Sequence, residues 1–127
     1  MKKIKSQIEE LLKLRPIADG TVEGLFTFPP DFIGFQGHFP GGAILPGACQ
    51  IQALLSLLEK SVGKSLALKE VVLAKYLVPV LPNEEIAIKT AEVFVPEISG
   101  STVKAVITRA GVKVSEIKIC AALQESL

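Results

Sequence analysis

The segment from residue 46 to residue 62 constrains the fold of this 127-residue chain more than any other segment. Its apolar residues cover most of the circumference of a helix: Ala48, Ile51, Ala53, Leu54, Leu55, Leu57, Leu58 and Val62. A helix that is apolar nearly all round must be covered by other elements. We therefore predict a buried helix over residues 46–62 that starts at Pro46 and Gly47, with residues 46–60 enclosed by the rest of the domain.

The polar residues of this helix fall on one side. At 100° per residue, Gln52, Cys49, Ser56 and Glu59 share a stripe about 80° wide. A stripe of this kind either lines a site or reaches solvent, and the pattern alone leaves both interpretations open.

The rest of the chain predicts an antiparallel sheet that covers the helix. Residues typical of strands are dense in five segments: 22–28, 68–80, 85–95, 101–109 and 112–123. Turn residues separate the last four: Pro82-Asn83, Ser99-Gly100 and Ala110-Gly111. The short turns indicate antiparallel neighbours. An amphipathic helix is predicted within residues 1–15 and ended by Pro16. The order predicts one α+β domain over residues 1–127, with a single central helix.

Composition and charge argue against several classes of protein. The net charge is +1 and no more than two basic residues are adjacent, so nucleic-acid binding is not expected. No apolar run approaches the ~20 residues that span a bilayer, and charges interrupt residues 1–15, so we expect a cytoplasmic protein without a membrane partner. Cys49 and Cys120 lack metal-ligand spacing and are expected to be reduced thiols; no metal or cofactor is predicted. The hydrophobic content of 49% suggests a further buried surface, such as a dimer interface or an acyl tunnel.

The only histidine, His38, lies in a glycine- and proline-rich loop over residues 31–44, just before the predicted helix. Imidazole is suited to proton transfer near neutral pH, and a helix N-terminus binds negative charge. Proton transfer beside an oxyanion site is therefore the first hypothesis. From the residues alone, a lone histidine in such a loop is more often structural or merely exposed.

The strings GFQGHFPG at residues 34–41 and ILPG at residues 44–47 resemble the signature of bacterial 3-hydroxyacyl-ACP dehydratases of fatty-acid synthesis. The resemblance continues into the helix and returns in PVLPNE at residues 79–84, and the order of elements agrees over residues 20–123. It implies a hot-dog fold, in which an antiparallel sheet wraps around one long helix and two subunits pair edge to edge.

By this resemblance His38 takes the place of the catalytic histidine, and Gly47 that of the glycine whose N–H faces the thioester carbonyl. The acidic residue that the family has on the helix, fourteen positions after the histidine, is Gln52 here, and the family's next glutamine is Ser56. A glutamine can hold a hydroxyl but cannot act as an acid.

Three other residues are candidates to replace the missing acid. Cys49 lies one turn before Gln52, although the simpler role of a helix cysteine is a small buried hydrophobe. Asp31 precedes the loop, where a turn role is the simpler interpretation. Glu59 lies about 10 Å along the helix from Gln52 and is too far away.

We therefore predict an enzyme that dehydrates 3-hydroxyacyl thioesters, on acyl carrier protein or coenzyme A, to trans-2-enoyl thioesters. His38 and Gln52 are the predicted catalytic residues. The predicted substrate-binding residues are Gly47, Ala48, Phe35, Phe39, Cys49 and Ser56; the two phenylalanines would serve equally well as core residues. We expect a homodimer or higher homo-oligomer, or a heterodimer with an acid-bearing homologue. The alternatives are a weakened subunit that binds acyl thioesters or supplies His38 to a shared site and, less favoured by Gln52, an acyl thioesterase.

Overall fold

The structure is a computed structural model that describes residues 2–16, 19–36, 42–98 and 100–124. Within these ranges the chain forms two α-helices, one short 3₁₀ helix (Ile33–Phe35) and six strands. The helices are α1 (Lys2–Leu11) and α2 (Gly47–Val62). The strands are β1 (Lys13–Pro16), β2 (Val22–Thr27), β3 (Leu66–Tyr76), β4 (Glu85–Thr90), β5 (Thr102–Arg109) and β6 (Val112–Leu123).

The six strands form one sheet in the order β1-β2-β4-β5-β6-β3, and every neighbouring pair is antiparallel. Ala110 and Gly111 connect β5 to β6 with φ values of 50° and 82°. A two-residue turn with positive φ at both positions matches the twist of the flanking strands. The predicted antiparallel sheet is confirmed.

The core lies between α2 and the inward-facing side chains of the sheet. Leu54, Leu57 and Leu58 of α2 are completely buried. Alternate residues of β4 and β5, such as Ile86, Ile88 and Ile107, are also completely buried, as expected for strands with one face on a core. An antiparallel sheet around one long buried helix is the hot-dog fold, and α2 is its central helix.

The N-terminal segment differs from the prediction. The amphipathic helix ends at Leu11 instead of continuing towards Pro16, and β1 follows it and pairs with β2. A proline disfavours helical backbone at the preceding residue, and the edge of β2 offers partners for an extended chain. The segment over residues 31–44, predicted as a loop, contains the short 3₁₀ helix.

Strand β3 forms one edge of the sheet and pairs only with β6 among the described strands. It has eleven residues, and most of their side chains are exposed on both faces. Leu68, Val71, Val72 and Tyr76 are between 40% and 46% exposed. A long apolar edge is a surface on which another strand or chain can pair.

Within the described ranges, no helix is long and apolar enough to cross a membrane.

Candidate active site

The start of α2 carries unpaired backbone donors. Pro46 precedes the helix in extended conformation, and its carbonyl accepts hydrogen bonds from the N–H groups of Cys49 (3.0 Å) and Gln50 (3.3 Å). The N–H groups of Gly47 and Ala48 have no acceptor among the described residues. The first N–H groups of a helix point along its axis and carry partial positive charge, so they can bind an oxyanion.

Tyr76, at the end of β3, lies directly against Gly47. A Cβ atom at position 47 would lie 2.5 Å from Cζ of Tyr76 and 2.7 Å from its hydroxyl oxygen. Packing therefore favours glycine at this position, because a larger residue would have to displace the Tyr76 ring. Partial burial raises the pKa of Tyr76, so its hydroxyl is neutral at physiological pH.

An apolar cavity of about 420 Å³ opens beside the helix start and is lined by residues 44–47, residues 76–79 and Gln50. Its volume is in the range typical of small-ligand sites. A hydrogen bond from the Leu45 N–H to the Val80 carbonyl (2.8 Å) joins the two lining segments. The ILPG and PVLPNE strings, which lie far apart in the sequence, are therefore neighbours at this cavity.

Gln50 is a residue that the sequence analysis did not single out. It is only 3% exposed, and its Oε1 accepts a hydrogen bond of 2.6 Å from the hydroxyl of Ser115 on β6, which is completely buried. A glutamine three residues after Gly47, on the same face of a predicted buried helix, is the signal that could have revealed it.

Gln52 and Ser56 lie next to each other, as the helical spacing predicts, but in a different place from the cavity. The Gln52 Nε2 donates to Ser56 Oγ over 3.0 Å, and Ser56 is buried. Gln52 lines a separate apolar groove of about 200 Å³ together with Ala48, Ile51, Leu55 and Leu68. This groove lies between α2 and the exposed edge strand β3. Of the predicted site residues, it contains Ala48 and Gln52.

Two predicted substrate-binding residues lie in the hydrophobic core. Cys49 is buried against Gly34, where an added Cβ would come within 2.9 Å of its Sγ. Burial raises the pKa of the Cys49 thiol, which therefore stays protonated. Phe35 is also buried and packs edge-on against Phe32, with ring centroids 5.7 Å apart.

Glu59, the last polar residue of the stripe, joins three elements. Its carboxylate accepts a hydrogen bond from the N–H of Leu66 at the start of β3 (2.8 Å) and lies 3.4 Å from the Nζ of Lys5 on α1. These contacts give it a structural role away from the helix start.

His38 and Phe39 lie outside the described residues. No cluster of three or more metal-ligating side chains occurs in the described ranges.

Residues 15–97 match the ApeI-like family, described as ApeI dehydratase. The chain belongs to the ApeI-like dehydratase family. This membership supports a dehydratase-type activity. No curated protein matches the chain in sequence.

Solved structures match the fold. A chain of the dehydratase heterocomplex ApeI:P from Xenorhabdus doucetiae is 17% identical with a TM-score of 0.73, over 87% of this chain and 94% of that one. An HP0420 homologue from Helicobacter felis is 15% identical with a TM-score of 0.68, over 94% and 82%. Cj0977, a sigma28-regulated virulence protein from Campylobacter jejuni, is 11% identical with a TM-score of 0.69, over 99% and 94%. At these identities the similarity concerns the fold.

Proposed function

We propose that this protein dehydrates 3-hydroxyacyl thioesters to trans-2-enoyl thioesters. The observation that carries the proposal is the start of α2, where the N–H groups of Gly47 and Ala48 are unpaired among the described residues beside an apolar cavity, in a chain of a dehydratase family. Charge develops on the thioester oxygen when the C2 proton leaves. Fixed N–H donors in a site of low polarity stabilise such charge more than water does.

In the proposed reaction His38 removes the proton from C2 of the substrate. The electron pair of the C2–H bond first forms the enolate and then the C2–C3 double bond, while the C3–O bond breaks. The proton that His38 has taken joins the leaving hydroxyl, so water is released and His38 returns to its neutral form. Tyr76 and Cys49 do not compete for the role of base, because both have raised pKa values and remain protonated.

Gln52 is proposed to hold the 3-hydroxyl group. Its Nε2 is engaged by Ser56, which leaves Oε1 as the atom that accepts a hydrogen bond from the substrate hydroxyl. The groove that contains Gln52 is separate from the cavity beside Gly47 in the same protomer. This separation supports a site shared between two subunits, in which Gln52 of one chain serves the helix start of the other.

The edge strand β3 is the proposed contact between the subunits. Its exposed apolar side chains would be covered by a second chain, and its outer edge would gain hydrogen-bond partners. Tyr76 belongs to this strand and lies against Gly47, so the interface and the helix start are continuous. The second chain is another copy of this protein or an acid-bearing homologue; the similarity to a chain of a heterocomplex supports including the second arrangement in the test.

The decisive assay is hydration of enoyl thioesters by the pure protein, followed by loss of the ultraviolet absorbance of the conjugated thioester. Carrier-protein and coenzyme A substrates of several acyl lengths should be compared. We expect hydration by the wild type and none by His38→Ala. If no substrate reacts, with or without an acid-bearing homologue added, the proposed function is wrong.

A further inference from the structure

A buried polar pair lies beside the proposed oxyanion site. Gln50 and Ser115 are 65 positions apart in the sequence and meet in a buried region between α2 and β6. Burying a polar side chain in such a region is unfavourable unless its hydrogen-bonding groups find partners. Neither residue has a part in the reaction as proposed so far.

The hydrogen bond from Ser115 determines the direction of the Gln50 amide. Since the Ser115 hydroxyl donates to Oε1, the oxygen of the amide faces β6 and the NH₂ group faces elsewhere. The Nε2 atom donates to no described residue. Within the described ranges, every fully buried side-chain nitrogen or oxygen has a partner, so Nε2 is not fully buried. We therefore place Nε2 at the surface of the cavity of which Gln50 forms a wall.

The position of Gln50 brings this donor close to the helix start. Gln50 follows Gly47 by three residues and shares its face of α2. Side chains on a helix lean towards its N-terminus, so the amide of Gln50 extends back towards the first turn. The other residues that line the cavity contribute mainly apolar side chains, and the exposed ring of Tyr76 closes one side.

We infer that Gln50 is a substrate-binding residue whose Nε2 donates a hydrogen bond to the thioester carbonyl oxygen, together with the N–H groups at the start of α2. Ser115 is the positioning residue that holds the amide in this orientation. The inference rests on the proposed function, because it assumes an acyl thioester in this cavity. A neutral donor fits this role since the carbonyl oxygen is neutral in the substrate and gains charge only during the reaction.

The inference can be tested by measuring the binding of two probes that differ only at the carbonyl. S-butyryl-pantetheine has the thioester carbonyl, and S-butyl-pantetheine is the matching thioether without that oxygen. We expect Gln50→Met to weaken binding of the thioester about 2–10-fold, as for the loss of one hydrogen bond, and to leave binding of the thioether unchanged. Ser115→Ala should weaken thioester binding less, because the amide remains present but is no longer held.

Kinetic measurements on the same variants distinguish a role of Gln50 in substrate binding from a purely structural role. Gln50→Met should lower kcat for enoyl hydration about 100-fold, as for the removal of one oxyanion donor, with a smaller change in KM. The double variant Gln50→Met with Ser115→Ala controls for folding, since it removes both polar partners together, and its kcat should equal that of Gln50→Met. Thermal unfolding of each variant verifies that the fold is retained.

Equal loss of binding for both probes in Gln50→Met, or an unchanged kcat in a folded variant, would overturn the inference. Failure of the proposed function gives a different result. If wild type hydrates no enoyl thioester but still prefers the thioester probe in a Gln50-dependent way, the binding role stands and the dehydratase role does not. If wild type binds neither probe, the role of Gln50 is also wrong.

Discussion

Replacing Gly47 by alanine tests the close contact between the start of α2 and β3. The added Cβ would lie 2.5 Å from Cζ of Tyr76, about 1 Å closer than ordinary van der Waals contact. Overpacking of this kind typically costs about 1–3 kcal/mol. We expect the lower end, about 1 kcal/mol, because Tyr76 is 46% exposed and its ring can move towards solvent.

The measurement is a double-mutant cycle in urea, with the free energy of unfolding followed by circular dichroism. Gly47→Ala should be destabilising in the wild type and nearly neutral in a Tyr76→Ala background, because the atoms that clash are then absent. Gly42→Ala is the matched control: no atom of the described residues lies within 4 Å of its added Cβ, and it should change stability little. Equal costs of Gly47→Ala in the two backgrounds would refute the reasoning.

Three further changes have defined outcomes. Ser115→Ala leaves Oε1 of Gln50 buried without its donor and should lower the free energy of unfolding by about 1–3 kcal/mol. Adding Gln50→Met should recover part of this loss. If urea unfolding shows that the losses of the two substitutions are additive, the pairing is contradicted. Val71→Asp on the exposed edge of β3 should reduce the molar mass measured by light scattering, whereas Val93→Asp, in a loop and more exposed than Val71, should not. A mass unaffected by Val71→Asp would argue against β3 as the interface. Burial raises the pKa of Cys49, so its contribution to stability is complete below the ordinary thiol pKa and is lost as pH rises from that value through the raised pKa of the folded state. Cys49→Ala should therefore flatten the alkaline fall in unfolding free energy, and an unchanged slope would count against burial as the cause.

The sequence was sufficient for the elements whose patterns are local. The apolar circumference of residues 46–62 predicted α2 closely, because a helix without a polar side must be buried. The short break at Ala110 and Gly111 between two strand-like segments predicted the β5–β6 hairpin, because glycine readily adopts the positive φ that a two-residue turn needs. The site motif likewise led to Gly47, whose surroundings now include an apolar cavity and a tyrosine ring.

Other features depended on neighbours that the local pattern cannot reveal. Strand β1 forms because the edge of β2 is available to it, and short edge strands have little signal of their own. The apolar residues of β3 are typical of a buried strand, yet Leu68, Val71 and Val72 are exposed, and β3 is an edge of the sheet.

The two glutamines of α2 illustrate the same limit within the candidate site. The resemblance singled out Gln52, whereas the fold places Gln50 in the wall of the cavity and Gln52 in a separate groove. Helical spacing determines that the two side chains point to different sides of α2. Which side meets the cavity is decided by the sheet, because the strand order brings Ser115 of β6 and Tyr76 of β3 against one face of the helix.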